Sequence, residues 1–534
     1  MYAKPYWKGL LVYMTQTQFF IGIDIGTQGT KVSLVNDGGS IVTNSFVPSN
    51  LIRLDHGIVE QMPEEMFASV VDGMTEVMKR SGVEPGQVAA IGLDGQMAGI
   101  MGIDRDWNAV TPYDSWLDTR CEKYMPLIKE WGEEPFIRIT GCPVTYAHGP
   151  KVLWWKHERP ETYRKIEKFV LPTAYVAGRL AGLKADNAFI DYTHLHFSGF
   201  SDVSNHSWSD DLLDAFQVSK DKMPRIVNPW DVIGYLSKCY ADKCGLLEGT
   251  PIVAGCGDTA ATILGAGITT KGAILDVAGT ASVLSCCVDE YKPDVNTKTL
   301  IYARSVIPGL WNPLAYINGG GQCLAWFRDL LAAQEGSLPF DELNAQAAHV
   351  RVGSDGIFFI PHFAGRACPN NPFLRGSWLG LNWSHRNGHM YRSILESIAY
   401  EYQGYLATLK QLIPGLHFTH VNVVGGGAKS ELFNSIKADV MNVPYTTLNN
   451  SDTATVATAV IAGYGVGFYP DIADTMNRMV YPHSTVAPNP HHITNYQSYA
   501  DCYHMLVEKL TPIYKAMDEG RGTFGHSHRV RSDS

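Results

Sequence analysis

Two segments of this chain, 252 positions apart, follow one plan. FFIGIDIGTQGTKVSLV at residues 19–35 reads as an apolar strand, a Gly/Thr turn and a second strand, and GAILDVAGTASVLSCC at residues 272–287 repeats it. Each first strand carries an acid near its end, Asp24 or Asp276. A small-residue hairpin follows: Gly26, Thr27, Gln28, Gly29 and Thr30 in one, Gly279, Thr280, Ala281 and Ser282 in the other. Gly and Thr are ordinary hairpin residues, so one such turn alone reads as an unrelated tight turn. Two with matching chemistry point to two similarly built domains facing a shared cleft.

The intervening sequence reads as α/β with mixed sheets. Residues 63–80 have helical spacing with acids in the first turn, and VAAIGLDGQMAGIMGID (88–104) reads as strand, loop and strand. Residues 390–413 form a long helical pattern that leads through Pro414 and Gly415 into HVNVVGG and the helix-like ELFNSIKADVMN, a βα unit. The second hairpin sets the boundary, giving domains at 15–265 and 266–485, then a C-terminal helix and a loose tail at 486–534. The first thirteen residues read as an extension that the fold does not require, and they make no convincing signal peptide.

Composition narrows the partners. No apolar run approaches the roughly 18 to 20 residues of a membrane span. Acids exceed bases by 53 to 43, a net charge of -10, which opposes nucleic acid as a partner. Ten scattered cysteines fit a reducing, cytoplasmic setting, and none pairs with histidines at zinc-site spacing. A homodimer stays open, because the Tyr-rich stretch 495–516 can cover either its own domain or a partner.

Three elements can carry chemistry. The GTQGTK turn offers backbone N–H groups and the hydroxyls of Thr27 and Thr30 to an anion, and Asp24 beside it can hold magnesium through water. Its glycine spacing fits neither a Walker loop nor a dinucleotide fingerprint. In PIVAGCGDTAATILGAG a buried strand delivers Asp258, with no Lys or Arg near it in sequence, as a candidate general base. A helix N-cap is the structural alternative for the same residue, and both can hold at once. Two glycine triplets, Gly319, Gly320 and Gly321 and then Gly425, Gly426 and Gly427, each precede a helical pattern and present backbone amides to a nucleotide lying across them. Helix-on-strand packing is the alternative for any one glycine.

Together these motifs resemble the FGGY carbohydrate kinase family, from about residue 19 to about residue 470. IGIDIGTQGTK looks like its first phosphate loop, VAGTASV like the second, and GCGDTAA like its catalytic strand. IGLDGQMAGIMGID and SWLDTRC resemble the sugar-site segments, and GGGQCLAWFRD and VVGGGAKSELF the adenosine side. The resemblance implies two ribonuclease-H-like domains of the actin and hexokinase type, with mixed sheets around a central cleft. It implies ATP and magnesium (Mg2+) as cofactors and a small-molecule sugar as substrate. Carried over position by position, Asp258 is the base acting on a primary hydroxyl and Asp24 lies near the magnesium. Gly26 to Thr30 and Gly279 with Thr280 lie near the phosphates, and Gly321, Gly427 and Ala428 line the adenosine. Gln96, Met97, Trp116, Asp118 and Thr259 line the sugar pocket beside Asp258; Asp94, a carboxylate at the end of an apolar strand, either reaches a sugar hydroxyl as part of that pocket or pairs with an arginine elsewhere in the fold.

GQM, with the tryptophan and acid of SWLDTRC, is most similar to the xylulokinases, implying D-xylulose and its 5-phosphate. Departures fall on the substrate side: Asp94 stands for a usual serine, Ala98 for histidine, Leu117 and Thr259 where asparagine is common. On the nucleotide side Ala457 replaces a glycine. Ribulose, glycerol and erythritol remain alternative acceptors. A non-catalytic actin-like nucleotide-binding protein is the alternative from another class, and it would need neither Asp258 nor a polar sugar pocket.

Overall fold

The computed structural model describes residues 17–523 apart from 336–338 and 450–451. The N-terminal extension and the expected loose tail beyond residue 523 therefore lie outside the described residues. The first sheet runs in the order 232–235, 251–253, 88–95, 19–25, 29–36, 41–48. Its central strand Phe19–Ile25 pairs antiparallel with Gly29–Asn36 and parallel with Val88–Gly95. The second sheet runs 482–486, 445–448, 420–424, 273–278, 282–286, 311–317, 301–304. Its central strand Ala273–Ala278 likewise pairs antiparallel with Ser282–Cys286 and parallel with His420–Val424. Both sheets also end in an antiparallel edge strand beyond the second parallel neighbour. The repeated strand, turn and strand is thus the centre of a duplicated sheet.

Burial on both faces explains the near-continuous apolar sequence of the central strands. In Phe19–Ile25 the alternation places Ile21, Ile23 and Ile25 in one core with helix Pro63–Ser81, through Met66, Phe67, Val70 and Met74. That helix starts with proline in its first turn, carries Glu64 and Glu65 there, and stops at Gly82 in the left-handed conformation. Phe20 faces the other way, into a core with Val456, Val460 and Ile461 of helix Thr453–Gly465.

That second helix packs across the strands that carry Asp24 and Asp94. It rides directly on the strand backbone, because a Cβ on Gly22 would lie 1.9 Å from the carbonyl oxygen of Thr455, and one on Gly92 would lie 2.2 Å from that of Thr458. Helix Asp258–Gly265 meets it the same way, with Gly265 against the Thr453 carbonyl at 2.0 Å. Ala457, expected on the nucleotide side, is instead fully buried in this shared core. Lys31 and Asp452 make an ion pair of 2.5 Å at the start of the same helix.

The C-terminal helix Pro490–Thr523 settles what the Tyr-rich stretch covers. Tyr496 and Tyr503 are fully buried against the chain's own helix Asn387–Leu412, donating to Glu396 at 3.0 Å and Glu401 at 2.8 Å. All ten cysteines are free thiols. Among the described residues no helix is long and apolar enough to cross a membrane.

Candidate active site

Strand register brings three carboxyl groups to one end of the first sheet. Asp24 and Asp94 are direct neighbours on parallel strands, and Cys256 pairs with Asp94 so that Asp258 emerges two residues later. Asp258 is the first residue of its helix, with Gly257 as the N-cap. The capping alternative for Asp258 therefore falls to its neighbour. Its carboxylate accepts the Thr259 N–H at 2.5 Å and the Thr259 hydroxyl at 3.1 Å, so Thr259 orients the acid. The Gly257 N–H donates to the hydroxyl of Thr193 at 2.9 Å, which fixes the turn from behind.

Packing and charge tune these acids apart. Burial, then the negative charge of Asp24, raises Asp258 from 3.8 to about 6, against the Thr259 hydrogen bonds. Asp94 is fully buried, and among the described residues no protein donor reaches either of its oxygens. Burial, followed by the charges of Asp24 and Asp258, pushes it well above the carboxylate range. It therefore keeps its proton at neutral pH, and burial raises Asp24 as well. The result is a protonated acid beside two ionisable ones.

A chain of side-chain hydrogen bonds joins the first hairpin to the sugar-site segments. The Trp116 indole donates to the Thr27 hydroxyl at 2.9 Å, and that hydroxyl donates to Gln96 at 3.2 Å. Gln96 donates to Gln61 at 2.7 Å, and Gln61 returns to the Thr27 carbonyl at 3.2 Å. Trp116 stays 43% exposed, so its ring face remains open for C–H groups. Met97 is buried against Gly257, where a Cβ would meet its sulfur at 2.5 Å. Gln28 sits exposed at the hairpin tip between Gly26 and Gly29.

Two expectations for this half fail. Thr30 is fully buried, with its hydroxyl 2.7 Å from that of Ser69 on helix Pro63–Ser81. Strand alternation turns it to the face away from an anion, leaving Thr27 as the only hairpin hydroxyl open to one. Asp118 is also fully buried, and both its oxygens accept protein donors: Arg120 through backbone and guanidinium, and the Val59 N–H at 2.6 Å. Arg120 adds Glu60 at 2.7 Å and Asp114 at 3.5 Å. Asp118 is a brace for the Trp116 loop and not a pocket wall.

In the second domain the two triplets approach the second hairpin closely. A Cβ on Gly321 would lie 2.0 Å from the Gly279 carbonyl, and Gly425 and Gly427 approach Ala278 within 2.8 Å. The Gln322 N–H donates to the Thr280 carbonyl at 3.1 Å. Close packing thus explains these glycines, while Thr280 remains exposed at the tip. The first triplet opens helix Gly320–Glu335, but the second opens only a 3-10 turn, Gly426–Lys429, that holds Ala428. The helix proper begins at Glu431 after the Ser430 cap. Asp276, the counterpart of Asp24, is buried in an ion pair with Lys437 and accepts Tyr402 OH at 2.8 Å. Duplication preserved the sheet, while the two acids diverged in use.

Among the described residues no cluster of three or more His, Cys, Asp or Glu forms a metal cage. The acids at the strand ends suit a hard cation held by one or two carboxylates and completed by phosphate oxygens.

Residues 19–265 match the N-terminal domain, and residues 276–466 the C-terminal domain, of the FGGY family of carbohydrate kinases. The chain belongs to that family. It is 26% identical to a xylulose kinase of Bacillus subtilis over 506 residues, 94% of this chain and 99% of that protein. It is also 28% identical to a gluconokinase of the same organism over 484 residues, 88% and 92% of the two chains. The solved xylulose kinase of Lactobacillus acidophilus shares the fold, with a TM-score of 0.87 and 24% identity, over 94% of this chain and all of that one. The chain is therefore a carbohydrate kinase, and the non-catalytic alternative is set aside.

Sequence reasoning missed Gln61 and Thr193. Each lies outside the recognised motifs, and only the fold carries it to the site.

Proposed function

We propose that this kinase transfers the terminal phosphoryl group of ATP to a primary hydroxyl of a small uncharged sugar, a ketopentose of the D-xylulose type. The observation that carries this reading is Asp258, an acid raised to about 6 at the strand ends beside Asp24. A general base works best with a pKa near the working pH, and Asp258 is ionised at neutrality while retaining proton affinity. It accepts the hydroxyl proton, Thr259 holds its orientation, and the Thr193 bond holds its turn. Asp24 would hold a magnesium ion, which would supply neutralisation of phosphate charge. Thr27 and the amides of residues 26–29 meet one side of the triphosphate, and Gly279 with Thr280 the other. Gly321, Gly427 and Ala428 border the adenosine.

Trp116 offers the acceptor an indole face for C–H groups, while Gln96 and Met97 are buried behind it, Gln96 holding the Thr27 hydroxyl in place. Gluconate is the second reading, on the strength of the gluconokinase relative. Its carboxylate would need a free cation, but Arg120 is bound to Asp118 and Glu60, and Lys151 to three main-chain carbonyls. The neighbouring acids repel an anion, which favours a neutral ketose or polyol. No membrane or nucleic-acid partner enters this reading, and its setting is the cytoplasm.

The test is ADP release with ATP and magnesium across D-xylulose, D-ribulose, glycerol, erythritol and gluconate. The highest kcat/KM is expected for a ketopentose. A preference for gluconate would overturn the substrate assignment and leave the kinase chemistry standing.

A further inference from the structure

Lys151 is fully buried, yet among the described residues it makes no ion pair. Its ammonium donates only to main-chain carbonyls: Ala98 at 3.0 Å, Ser115 at 2.8 Å and Tyr146 at 2.7 Å. A lysine has three donors and no acceptor, so these bonds saturate it. Burial lowers its pKa, while the charges of Cys121, Asp114 and Asp118 work to keep it protonated and Arg120 opposes them. The residue is also the fourth of helix His148–Glu158, near the positive end of the helix, where a cation is disfavoured. Nothing in local propensity or ordinary core packing calls for an ammonium there.

The carbonyls it holds explain the choice. Ala98 follows Gln96 and Met97 and has φ 61°, a left-handed conformation that a residue with a Cβ adopts at an energetic cost. Ser115 precedes Trp116. Gly99 allows the two loops to touch, since a Cβ there would lie 2.1 Å from the Tyr113 hydroxyl. Ile100 and Asp114 already bridge them through reciprocal backbone bonds of 3.1 and 2.9 Å. That bridge fixes the distance between the loops, but it lies beyond the turn that aims Gln96 and Met97.

We propose that Lys151 is a positioning residue of the acceptor pocket, whose buried ammonium holds the strained Ala98 turn against the Trp116 loop and so sets Trp116, with Gln96 and Met97 behind it, against one acceptor. Calling the pocket an acceptor pocket rests on the functional reading above; the clamping of the two loops does not. The structure therefore assigns Lys151 to acceptor binding and not to ATP binding or the chemical step.

The test compares wild type with Lys151→Met in the full chain, by steady-state kinetics and by amide hydrogen exchange. The acceptor KM should rise by about tenfold or more while the ATP KM stays within about twofold. Exchange should quicken at residues 96–100 and 113–118 and stay unchanged at residues 425–430. Adding Ala98→Gly to Lys151→Met should recover part of the acceptor KM, because glycine adopts the left-handed turn without the clamp. Unchanged acceptor KM and exchange in Lys151→Met would overturn the proposal, with the Ile100 to Asp114 bridge then sufficient. If Lys151→Met does not fold, Ala98→Val strains the same turn with the lysine intact, and a wild-type acceptor KM there overturns the proposal equally. Should the wild type phosphorylate no sugar or polyol, the functional reading fails, and hydrogen exchange still decides the clamp.

Discussion

Asp258→Asn should make the protein more stable at neutral pH. The carboxyl rises from 3.8 to about 6 on folding, chiefly through burial and next through the Asp24 charge. The folded state therefore binds this proton more tightly than the unfolded state. Its contribution to stability is greatest below pH 3.8, declines as pH rises towards 6, and stays at its minimum above that. The shift corresponds to a penalty of up to about 3 kcal/mol at pH 7.5. Asparagine removes the charge while its side-chain oxygen still accepts from Thr259. In metal-free buffer its melting temperature should exceed the wild type's by on the order of 5 °C at pH 7.5. The difference should shrink towards zero at pH 4. A variant less stable than wild type at pH 7.5, or a gap that does not change with pH, would refute the reasoning that burial and charge strain this acid.

Thr27→Val should raise the acceptor KM by freeing the Trp116 indole, whereas Thr30→Val should leave both KM values unchanged and lower stability by about 1 kcal/mol through its lost bond to Ser69; steady-state kinetics and urea melts separate them. Asp118→Ala strips Arg120 of its best partner and should destabilise the fold by about 3 kcal/mol, read as a lower melting temperature. A folded, stable variant that loses only acceptor binding would return Asp118 to the pocket. Gly92→Ala forces a Cβ against the Thr458 carbonyl and should cost about 1 to 3 kcal/mol in the same assay. Since that strand carries Asp94 next to its last residue, kcat should fall as well.

How much of this was legible in the sequence differs between the scaffold and the site. The duplicated sheet was readable because each centre writes its own strand, turn and strand within seventeen residues. Helix Pro63–Ser81 was readable from its periodicity and its acidic first turn, and Asp258 from its isolation on an apolar strand. Thr30 was misassigned because a hairpin motif names both hydroxyls but not their faces; Gly29–Asn36 alternates, and Thr30 falls on the face towards Ser69. Asp118 carried a warning in its own segment, since an arginine two residues on is well placed to claim a carboxylate. The divergence of Asp276 from Asp24 was not visible, because Lys437 and Tyr402 reach it from more than a hundred residues away. Gln61, Thr193 and Lys151 were hidden for the same reason: each acts on backbone or side chains that only tertiary structure brings near.

The most direct test of the central claim is sugar-stimulated ADP release by Asp258→Asn at saturating ATP, magnesium and acceptor, with ATP binding followed by calorimetry. Turnover should fall by about 10²- to 10⁴-fold with ATP affinity unchanged. Turnover within about threefold of wild type would contradict the assignment of Asp258 as the base that takes the hydroxyl proton.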